Sequence, residues 1–164
     1  SSAASDVYKR QLKNRDEHFM KIAINEAKIA FEEDEIPVVD VIVYENQVIA
    51  RGHNQSKRLN DSTAHAEMIA ITAAANTIEN WRLNECTLYV TKEPCAMCAG
   101  AIVNARIKMV IFGCYDENEG CCGSLYQLCG DPRFKVQVTV KGGVLENDCL
   151  GIIQEFFQKK RNKK

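Results

Sequence analysis

The sequence predicts an α/β protein in which helices cover both faces of one β-sheet. Short β-branched runs, such as residues 38–44, alternate with segments of helical periodicity along the chain. The chain has 164 residues, of which 46% are hydrophobic. This length is enough for one sizeable core and too short for two ordinary domains. We therefore expect a single domain.

The ordered part of the chain is expected to begin near Asn14. Residues 1–11 lack periodicity and open with four small residues, so we interpret residues 1–13 as a disordered or foreign extension of a domain that spans residues 14–164. Asn14 and Glu17 resemble a capping box, and apolar residues then recur at helical spacing up to Phe31. This pattern predicts a first helix that ends before the next proline.

A β-hairpin is predicted to follow this helix. Residues 38–44 and 48–52 are rich in β-branched side chains and flank a turn at residues 45–47. A second helix is predicted over residues 64–78, because a Ser-Thr pair precedes it and strong helix formers fill it.

Strands and helices alternate in the rest of the chain. The predicted strands cover residues 87–91, 108–112 and 136–140, and the predicted helices cover residues 95–105 and 148–160. Residues 113–135 contain four glycines and a proline, and they are predicted to form an irregular loop. Long loops in compact domains are usually functional.

The charges are balanced overall but unevenly distributed. The chain contains 21 basic and 22 acidic residues, so the net charge gives no argument for a nucleic-acid partner. Basic residues crowd the C-terminal tail from Lys159 to Lys164, which is either a solvated helix end or a phosphate contact. No apolar run approaches the ~18 residues that cross a bilayer, and the N-terminus lacks the apolar core of a signal peptide. We therefore expect a soluble, cytoplasmic protein.

Two short segments carry the residues that indicate chemistry. His65–Glu67 reads His-Ala-Glu, Pro94–Cys98 reads Pro-Cys-Ala-Met-Cys, and both lie at predicted helix starts. Either segment alone is a weak signal, because a single His is more often a packed or surface residue and a Cys-x-x-Cys pair also occurs in redox sites or by chance. Together they match the H-x-E and P-C-x-x-C signature of zinc nucleobase deaminases.

The signature assigns a role to each residue. His65, Cys95 and Cys98 are predicted to bind one Zn²⁺ and to leave its fourth tetrahedral position for water, as in catalytic zinc sites. The two cysteines lie one turn apart at a helix N-terminus, where the helix dipole favours thiolates. Glu67 is predicted to shuttle the protons of the activated water rather than to bind the metal.

The other cysteines raise two alternatives, and the sequence argues against both. Eight cysteines in a chain without a secretion signal are expected to be reduced rather than paired in disulfides. A four-cysteine structural zinc site requires a second closely spaced pair, whereas Cys121 and Cys122 are adjacent and six residues separate Cys122 from Cys129. The cysteines outside the signature are interpreted mostly as small buried hydrophobic residues.

Longer stretches around these motifs carry a family resemblance. They are Thr63–Glu67, Leu88–Thr91, Glu93–Cys95, Met97–Ala101 and Gly123–Leu125. Through them the chain resembles the TadA-type tRNA adenosine deaminases of the cytidine-deaminase-like superfamily, from about Phe19 to Lys160. The resemblance implies a three-layer α/β/α sandwich around a five-stranded mixed sheet. It also implies a homodimer that deaminates the wobble adenosine of a tRNA anticodon to inosine.

The resemblance further implies substrate contacts. Asn54 matches an asparagine that hydrogen-bonds the target base, since its amide supplies a donor and an acceptor together. Asp116 matches a loop acid near the substrate backbone, and Val38 is assigned to the same substrate-binding group. Phe156 matches an aromatic residue near the RNA, although a buried core Phe fits its position equally well.

One departure from the family lies at the start of the first strand. The family usually has Gly-Ala where this chain has Val39 and Asp40. Neighbours on a strand face opposite sides, and the sequence does not fix the register. Either Val39 lines the base pocket and disfavours a purine relative to a smaller pyrimidine, or Val39 enters the core and Asp40 faces the opposite side. Natural drift and deliberate engineering account for the change equally well.

The signature leaves three functions open. The first is deamination of adenosine in a tRNA anticodon loop or another single-stranded nucleic acid. The second is the same chemistry on cytosine, guanine or single-stranded DNA, including an engineered base-editing deaminase. The third is a catalytically silent RNA-binding subunit, and the intact Glu67 argues against it.

Overall fold

The structure, a computed structural model, describes residues 2–163. The helices of this part of the chain are α1 (Ser2–Glu32), α2 (Ser56–Leu59), α3 (Ala66–Ile78), α4 (Ala96–Asn104) and α5 (Glu146–Asn162). The strands are β1 (Val39–Tyr44), β2 (Gln47–His53), β3 (Thr87–Lys92), β4 (Met109–Cys114) and β5 (Thr139–Lys141).

The five strands form one mixed sheet in the order β2-β1-β3-β4-β5. β1 pairs antiparallel with β2 and with β3, whereas β3 with β4 and β4 with β5 are parallel pairs. Glu45 and Asn46 turn the β1–β2 hairpin with positive φ angles of 49° and 62°, the conformation that a tight two-residue hairpin favours. The predicted five-stranded mixed sheet is confirmed.

Helices cover both faces of the sheet. α3 and α4 bury Ala70, Ala74 and Ile102 against one face, and α1 and α5 bury Phe19 and Ile153 against the other. The predicted three-layer sandwich is therefore confirmed. Within residues 2–163, no helix is both long enough and apolar enough to cross a membrane.

α1 begins at Ser2, earlier than the predicted start near Asn14. Residues 2–13 contain alanine, lysine, arginine, glutamine and leucine and lack glycine and proline, so nothing in this segment interrupts the helix. Its side chains are nonetheless exposed, apart from a half-buried Leu12. The first buried side chain of the helix is Asp16. The domain boundary at residue 14 stays a prediction.

Two smaller differences follow from tertiary contacts. The last strand covers only Thr139–Lys141, because Val138 donates its amide to the Cys129 carbonyl of the preceding loop at 2.9 Å rather than to β4. α2 was not predicted, since four residues are too few for a helical pattern to emerge.

Asp16 joins three elements of the fold through one buried carboxylate. It accepts hydrogen bonds from the Tyr89 hydroxyl of β3 at 2.9 Å and from the Lys141 ammonium at the end of β5 at 2.8 Å. The neighbouring Arg15 guanidinium donates to the same carboxylate at 3.1 Å. These three donors together offset the cost of burying the Asp16 carboxylate, so the network fixes α1 on the sheet.

Gly52 in β2 positions α3 on the sheet face opposite α1 and α5. A Cβ atom at this residue would clash with the Ala66 carbonyl and the Ala70 amide, so the backbone of α3 lies directly on the strand. Only glycine permits this approach. The first turn of α3 is consequently held at a fixed height above the sheet, next to β1.

Val39 and Asp40 occupy opposite faces of β1. Val39 packs against Ala27 and Ala30 of α1, so it does not line a pocket on the α3 side. Asp40 pairs across the sheet with Gly52 and is fully buried on the α3 face. Neither of its carboxylate oxygens has a hydrogen-bond partner. Burial, followed by the nearby charge of Glu67, raises the pKa of Asp40 well above its ordinary value of 3.8.

Replacing Asp40 by Ala should increase stability. An unpartnered buried polar group costs about 1–3 kcal/mol in proteins, so we expect the free energy of unfolding at pH 7 to rise by that order. In the native chain Asp40 keeps its proton above pH 3.8, whereas the unfolded chain releases it. Stability should therefore fall as the pH rises from about 4 toward the folded-state pKa, and the Asp40→Ala variant should lose this slope.

Urea unfolding between pH 4 and 8 measures both effects. The exposed Asp6, replaced by Ala, serves as the control and should leave stability and its pH slope unchanged. Equal slopes in the native and Asp40→Ala chains would contradict the assignment.

Candidate metal centre and active site

The metal-binding group lies where two helices begin. His65 is the residue immediately before α3, Cys95 is the residue immediately before α4, and Cys98 lies in the first turn of α4. Neither His65 nor Cys95 caps its helix through the side chain. The imidazole and the thiol therefore remain available to a ligand at the positive ends of the two helix dipoles.

The three side chains converge closely enough to hold one metal ion. His65 Nδ1 lies 3.6 Å from Cys95 Sγ and 3.6 Å from Cys98 Sγ. For a metal–sulfur bond of about 2.3 Å and a metal–nitrogen bond of about 2.1 Å at the tetrahedral angle, nitrogen and sulfur are separated by about 3.6 Å. The observed distances match this separation. Among residues 2–163, no other group of three or more His, Cys, Asp or Glu side chains is arranged to hold a metal.

The two thiols shift each other's pKa in opposite directions. Hydrogen bonds from Cys98, with help from His65, lower the pKa of Cys95 to about 5. The same contact with Cys95 and burial raise the pKa of Cys98. The lowered pKa of Cys95 favours the thiolate form that a metal ion binds, and an ion bound to both sulfurs would displace the proton of Cys98 as well.

Glu67 projects toward the same group from the first turn of α3. Its side chain is buried, and its carboxylate lies near Cys98, Cys95 and His65. Burial raises the pKa of Glu67 above its ordinary value. A carboxyl group with a raised pKa, beside a metal site that it does not help to form, is suited to move protons.

Glu93 is a buried acid whose importance the sequence did not reveal. It begins the Glu-Pro-Cys stretch that leads into α4, and its carboxylate faces the loop after β4. The backbone amides of Asp116, Cys122 and Ser124 each donate to it at 3.0 Å. The stretch was recognised only as part of the family resemblance, because these partners lie more than twenty residues away.

Three of the four predicted substrate contacts lie just outside the strands of the sheet. Asn54 follows β2 and is half-buried, and its Oδ1 accepts the Ser56 amide at 2.9 Å. Val38 is half-buried immediately before β1 and packs against both large core clusters. Asp116 pairs with Lys92 at 3.1 Å, and its Oδ1 accepts two amides of its own loop. Their roles toward a substrate stay predictions.

Phe156 is not brought to the metal-binding group. It is 5% exposed and packs against Phe31 of α1 and Phe157 of α5, with ring centroids 5.8 Å and 5.4 Å apart. This is the face of the sheet opposite α3 and α4. A contact between Phe156 and RNA stays a prediction, and the position is the one expected of a core aromatic residue.

The remaining cysteines are free and buried. Cys122 and Cys129 approach each other with sulfurs 3.7 Å apart, and Cys129 lies against the Ala99 carbonyl of α4. In the part of the chain that the structure describes, they have no further ligand with which to form a second metal site. The interpretation of these thiols as small core residues agrees with their burial.

Comparison with known proteins gives the same family. A family model described as MafB19-like deaminase matches residues 13–161. The tRNA-specific adenosine deaminase of Bacillus subtilis (strain 168) is 47% identical over 150 residues, which cover 92% of this chain and 93% of the relative. The chloroplastic tRNA(adenine(34)) deaminase of Arabidopsis thaliana is 41% identical over 171 residues, which cover 93% of this chain and 13% of that longer protein.

Solved structures agree with the sequence relatives. A structure from a study of A-to-I editing by tRNA:A34 deaminases matches with a TM-score of 0.77 and 40% identity, covering 82% of this chain and 98% of the other. A guanine deaminase from Nitrosomonas europaea shares the fold at 20% identity and a TM-score of 0.74, over 85% of this chain and 83% of the other. The chain therefore belongs to the tRNA-specific adenosine deaminase family, within the MafB19-like deaminases, and is a deaminase.

Proposed function

We propose that this protein is a zinc-dependent enzyme that hydrolyses adenosine to inosine in RNA, at the wobble position of a tRNA anticodon. The observation that carries the proposal is the convergence of His65, Cys95 and Cys98 with the buried Glu67, in a chain that is 47% identical to a tRNA-specific adenosine deaminase. The converging residues support deamination chemistry. The relatives support RNA adenosine as the substrate.

The donor set fits zinc. Two thiolates and one imidazole are ligands that Zn²⁺ prefers, and three protein ligands leave one position of a tetrahedral site open. His65, Cys95 and Cys98 would hold the ion, and the measured sulfur–nitrogen separations of 3.6 Å suit its bond lengths. When bound in such a site, zinc acts as a Lewis acid toward water.

Glu67 accounts for the proton movements of the reaction. Conversion of adenosine to inosine forms a bond from water oxygen to C6 and breaks the bond from C6 to the exocyclic nitrogen. Both protons of the water move, one to ring nitrogen N1 and one to the amine that leaves as ammonia. Glu67 takes up each proton and delivers it, and its raised pKa makes it a stronger base than an exposed carboxylate.

The base would be held by residues around the entrance to this group. Asn54 retains its amide nitrogen as a donor while its Oδ1 accepts the Ser56 amide, so the side chain is pre-oriented. Asp116 and Val38 are assigned to the same role on the strength of the family. Extrusion of a base from an anticodon loop costs less than extrusion from a duplex, which favours a loop substrate.

We also infer a homodimer. Family membership supports it, and the half-buried Met97 and Ala101 on α4 offer apolar surface. Ile102, which the sequence suggested for the same surface, is fully buried in the core of the chain. Cytoplasmic localisation stays a prediction from the sequence.

The zinc assignment predicts about one zinc ion per chain in the purified native protein. Cys95→Ala and Cys98→Ala should each lose the metal and lower the melting temperature, because metal binding stabilises the folded state. Elemental analysis and thermal unfolding measure the two effects. Cys86→Ala, at a buried cysteine outside the site, controls for loss of a core thiol and should retain the metal. Active protein without zinc would overturn the assignment.

The shuttle assignment predicts that Glu67→Gln keeps the fold and the zinc but loses at least about 100-fold in kcat. The assay is conversion of adenosine to inosine in a tRNA anticodon stem-loop, followed by mass spectrometry. Parallel reactions contain single-stranded DNA with adenine or cytosine, and free guanine.

Each outcome of this assay has a definite meaning. Preferential turnover of the stem-loop by the native chain supports the proposed substrate, whereas preferential turnover of DNA, cytosine or guanine replaces it. Substantial activity in Glu67→Gln refutes the shuttle. Absence of activity from the native chain on every substrate would favour a silent RNA-binding subunit.

The dimer inference predicts a mass of two chains in light scattering at micromolar concentration. Replacement of Met97 by Lys should shift the equilibrium toward the monomer, because a charge is then desolvated at the interface. Lys replacing the exposed Val7 is the control, since this residue lies on the N-terminal part of α1. A native chain that is monomeric at this concentration would contradict the homodimer inference.

A further inference from the structure

Glu93 and the loop after β4 form a connection that the proposed chemistry does not use. The loop runs from Tyr115 to Ser124, between the end of β4 and the exposed turn at Leu125 and Tyr126. It crosses the beginning of α4, since Gly120 forms an isolated β-bridge with Cys95 and the Cys121 amide donates to the Pro94 carbonyl at 2.8 Å. The loop therefore lies beside Cys95, one of the three candidate metal ligands.

A single carboxylate holds this loop in place. Oε1 of Glu93 accepts the Asp116 amide at 3.0 Å and the Ser124 hydroxyl at 2.5 Å. Oε2 accepts the amides of Cys122 and Ser124, each at 3.0 Å. These four bonds come from both ends of the loop, so the Glu93 carboxylate holds the two ends together. We call Glu93 and its three partners, Asp116, Cys122 and Ser124, the clasp.

The Glu93 carboxylate is buried and packs tightly against the backbone of the loop. Glu93 is 3% exposed. A Cβ atom at Gly120 would clash with the Glu93 carboxylate and with the Asp116 carbonyl, so the loop backbone lies directly on the acid. A buried carboxylate normally carries a large desolvation cost, and here four donors offset it.

The clasp also holds Asp116, one of the predicted substrate contacts. Asp116, whose amide Glu93 holds, pairs through its carboxylate with Lys92 at 3.1 Å and accepts the amides of Asn118 and Glu119. Glu93 thus lies between the segment that carries Cys95 and the loop that carries Asp116. Loss of the clasp would free the loop while the metal ligands kept their own helix.

We propose that Glu93 is a positioning residue that fixes residues 116–124 against the Cys95 segment and so keeps the substrate entrance preorganised for the RNA. It touches neither the reacting atoms nor the metal. Preorganised contacts lower the cost of ordering a loop upon binding, so their loss raises KM more than it lowers kcat. The identity of the substrate in this proposal rests on the proposed function. The anchoring of the loop by Glu93 does not depend on it.

Glu93→Gln tests the clasp with minimal change of shape. A carboxamide has one acceptor oxygen, and this oxygen would stay at the Oε2 position, where two amides donate to it. The NH₂ group then faces the Asp116 amide, which loses its acceptor, while the Ser124 hydroxyl rotates to accept. We expect faster amide hydrogen exchange in residues 115–124, unchanged zinc content, and a KM for the stem-loop at least about 10-fold higher with kcat within about 3-fold.

Two further variants grade the effect. Ser124→Ala removes only the hydroxyl bond and should raise exchange and KM less than Glu93→Gln does. Glu117→Gln replaces an exposed acid of the same loop by its amide without touching Glu93, and it should leave exchange and zinc content unchanged. Exchange is measured on the zinc-loaded protein without RNA, so it tests the anchor whether or not the stem-loop is a substrate.

The outcomes separate failure of the clasp from failure of the substrate assignment. Unchanged exchange in residues 115–124 of Glu93→Gln overturns the clasp, and so does loss of zinc, which would make Glu93 part of the metal site. A fall in kcat at constant KM overturns the positioning role. If the native chain does not turn over the stem-loop, the proposed function fails. The KM comparison then uses whichever substrate the native chain does turn over. If the native chain turns over no substrate, the affinity for the stem-loop is compared instead, in the Glu67→Gln background.

Discussion

The beginnings of α3 and α4 meet at one edge of the sheet, and the chemistry of the molecule depends on this meeting. α4 starts directly beyond β3, while α3 is pressed onto β2 at Gly52, two strands away in the sheet order. Helix N-termini carry unpaired amides and a partial positive charge, which stabilise thiolates and a bound anion. Because His65, Cys95 and Cys98 sit at these two ends, backbone packing alone brings their donor atoms within bonding range of one ion.

The acids around this edge show three different ways of burying a carboxyl group. Glu93 is satisfied by four donors, and Asp16 on the opposite face is satisfied by Arg15, Tyr89 and Lys141. Asp40 has no hydrogen-bond partner, so its neutral form is favoured. Glu67 lies between these extremes, because burial raises its pKa while its own backbone amide and the neighbouring Cys98 lower it. A catalytic carboxyl needs this intermediate state, since full satisfaction would make it too weak a base.

Asp40 lies buried and without a hydrogen-bond partner at the point where β1 passes beneath α3. Its burial beside Glu67 places two carboxyl groups in one apolar environment, and their mutual repulsion adds to the desolvation cost. Such a cost is tolerated only where the surrounding fold is stable enough to absorb it. Val39, on the opposite face, packs against Ala27 and Ala30 of α1.

The sequence by itself predicted most of the helices and strands and the candidate metal ligands, whereas the tertiary structure decided which distant residues contact each other. His65, Glu67, Cys95 and Cys98 were identifiable because their spacing is local, and a helix start fixes the direction of side chains one turn apart. The sheet and its two helical layers followed from hydrophobic periodicity in the same way. The face occupied by Asp40 and the donors around Glu93 were not identifiable, because each depends on strand register or on residues more than ten positions distant. The pairing of Asp116 with Lys92 and the burial of Phe156 against α1 were settled by the same long-range packing.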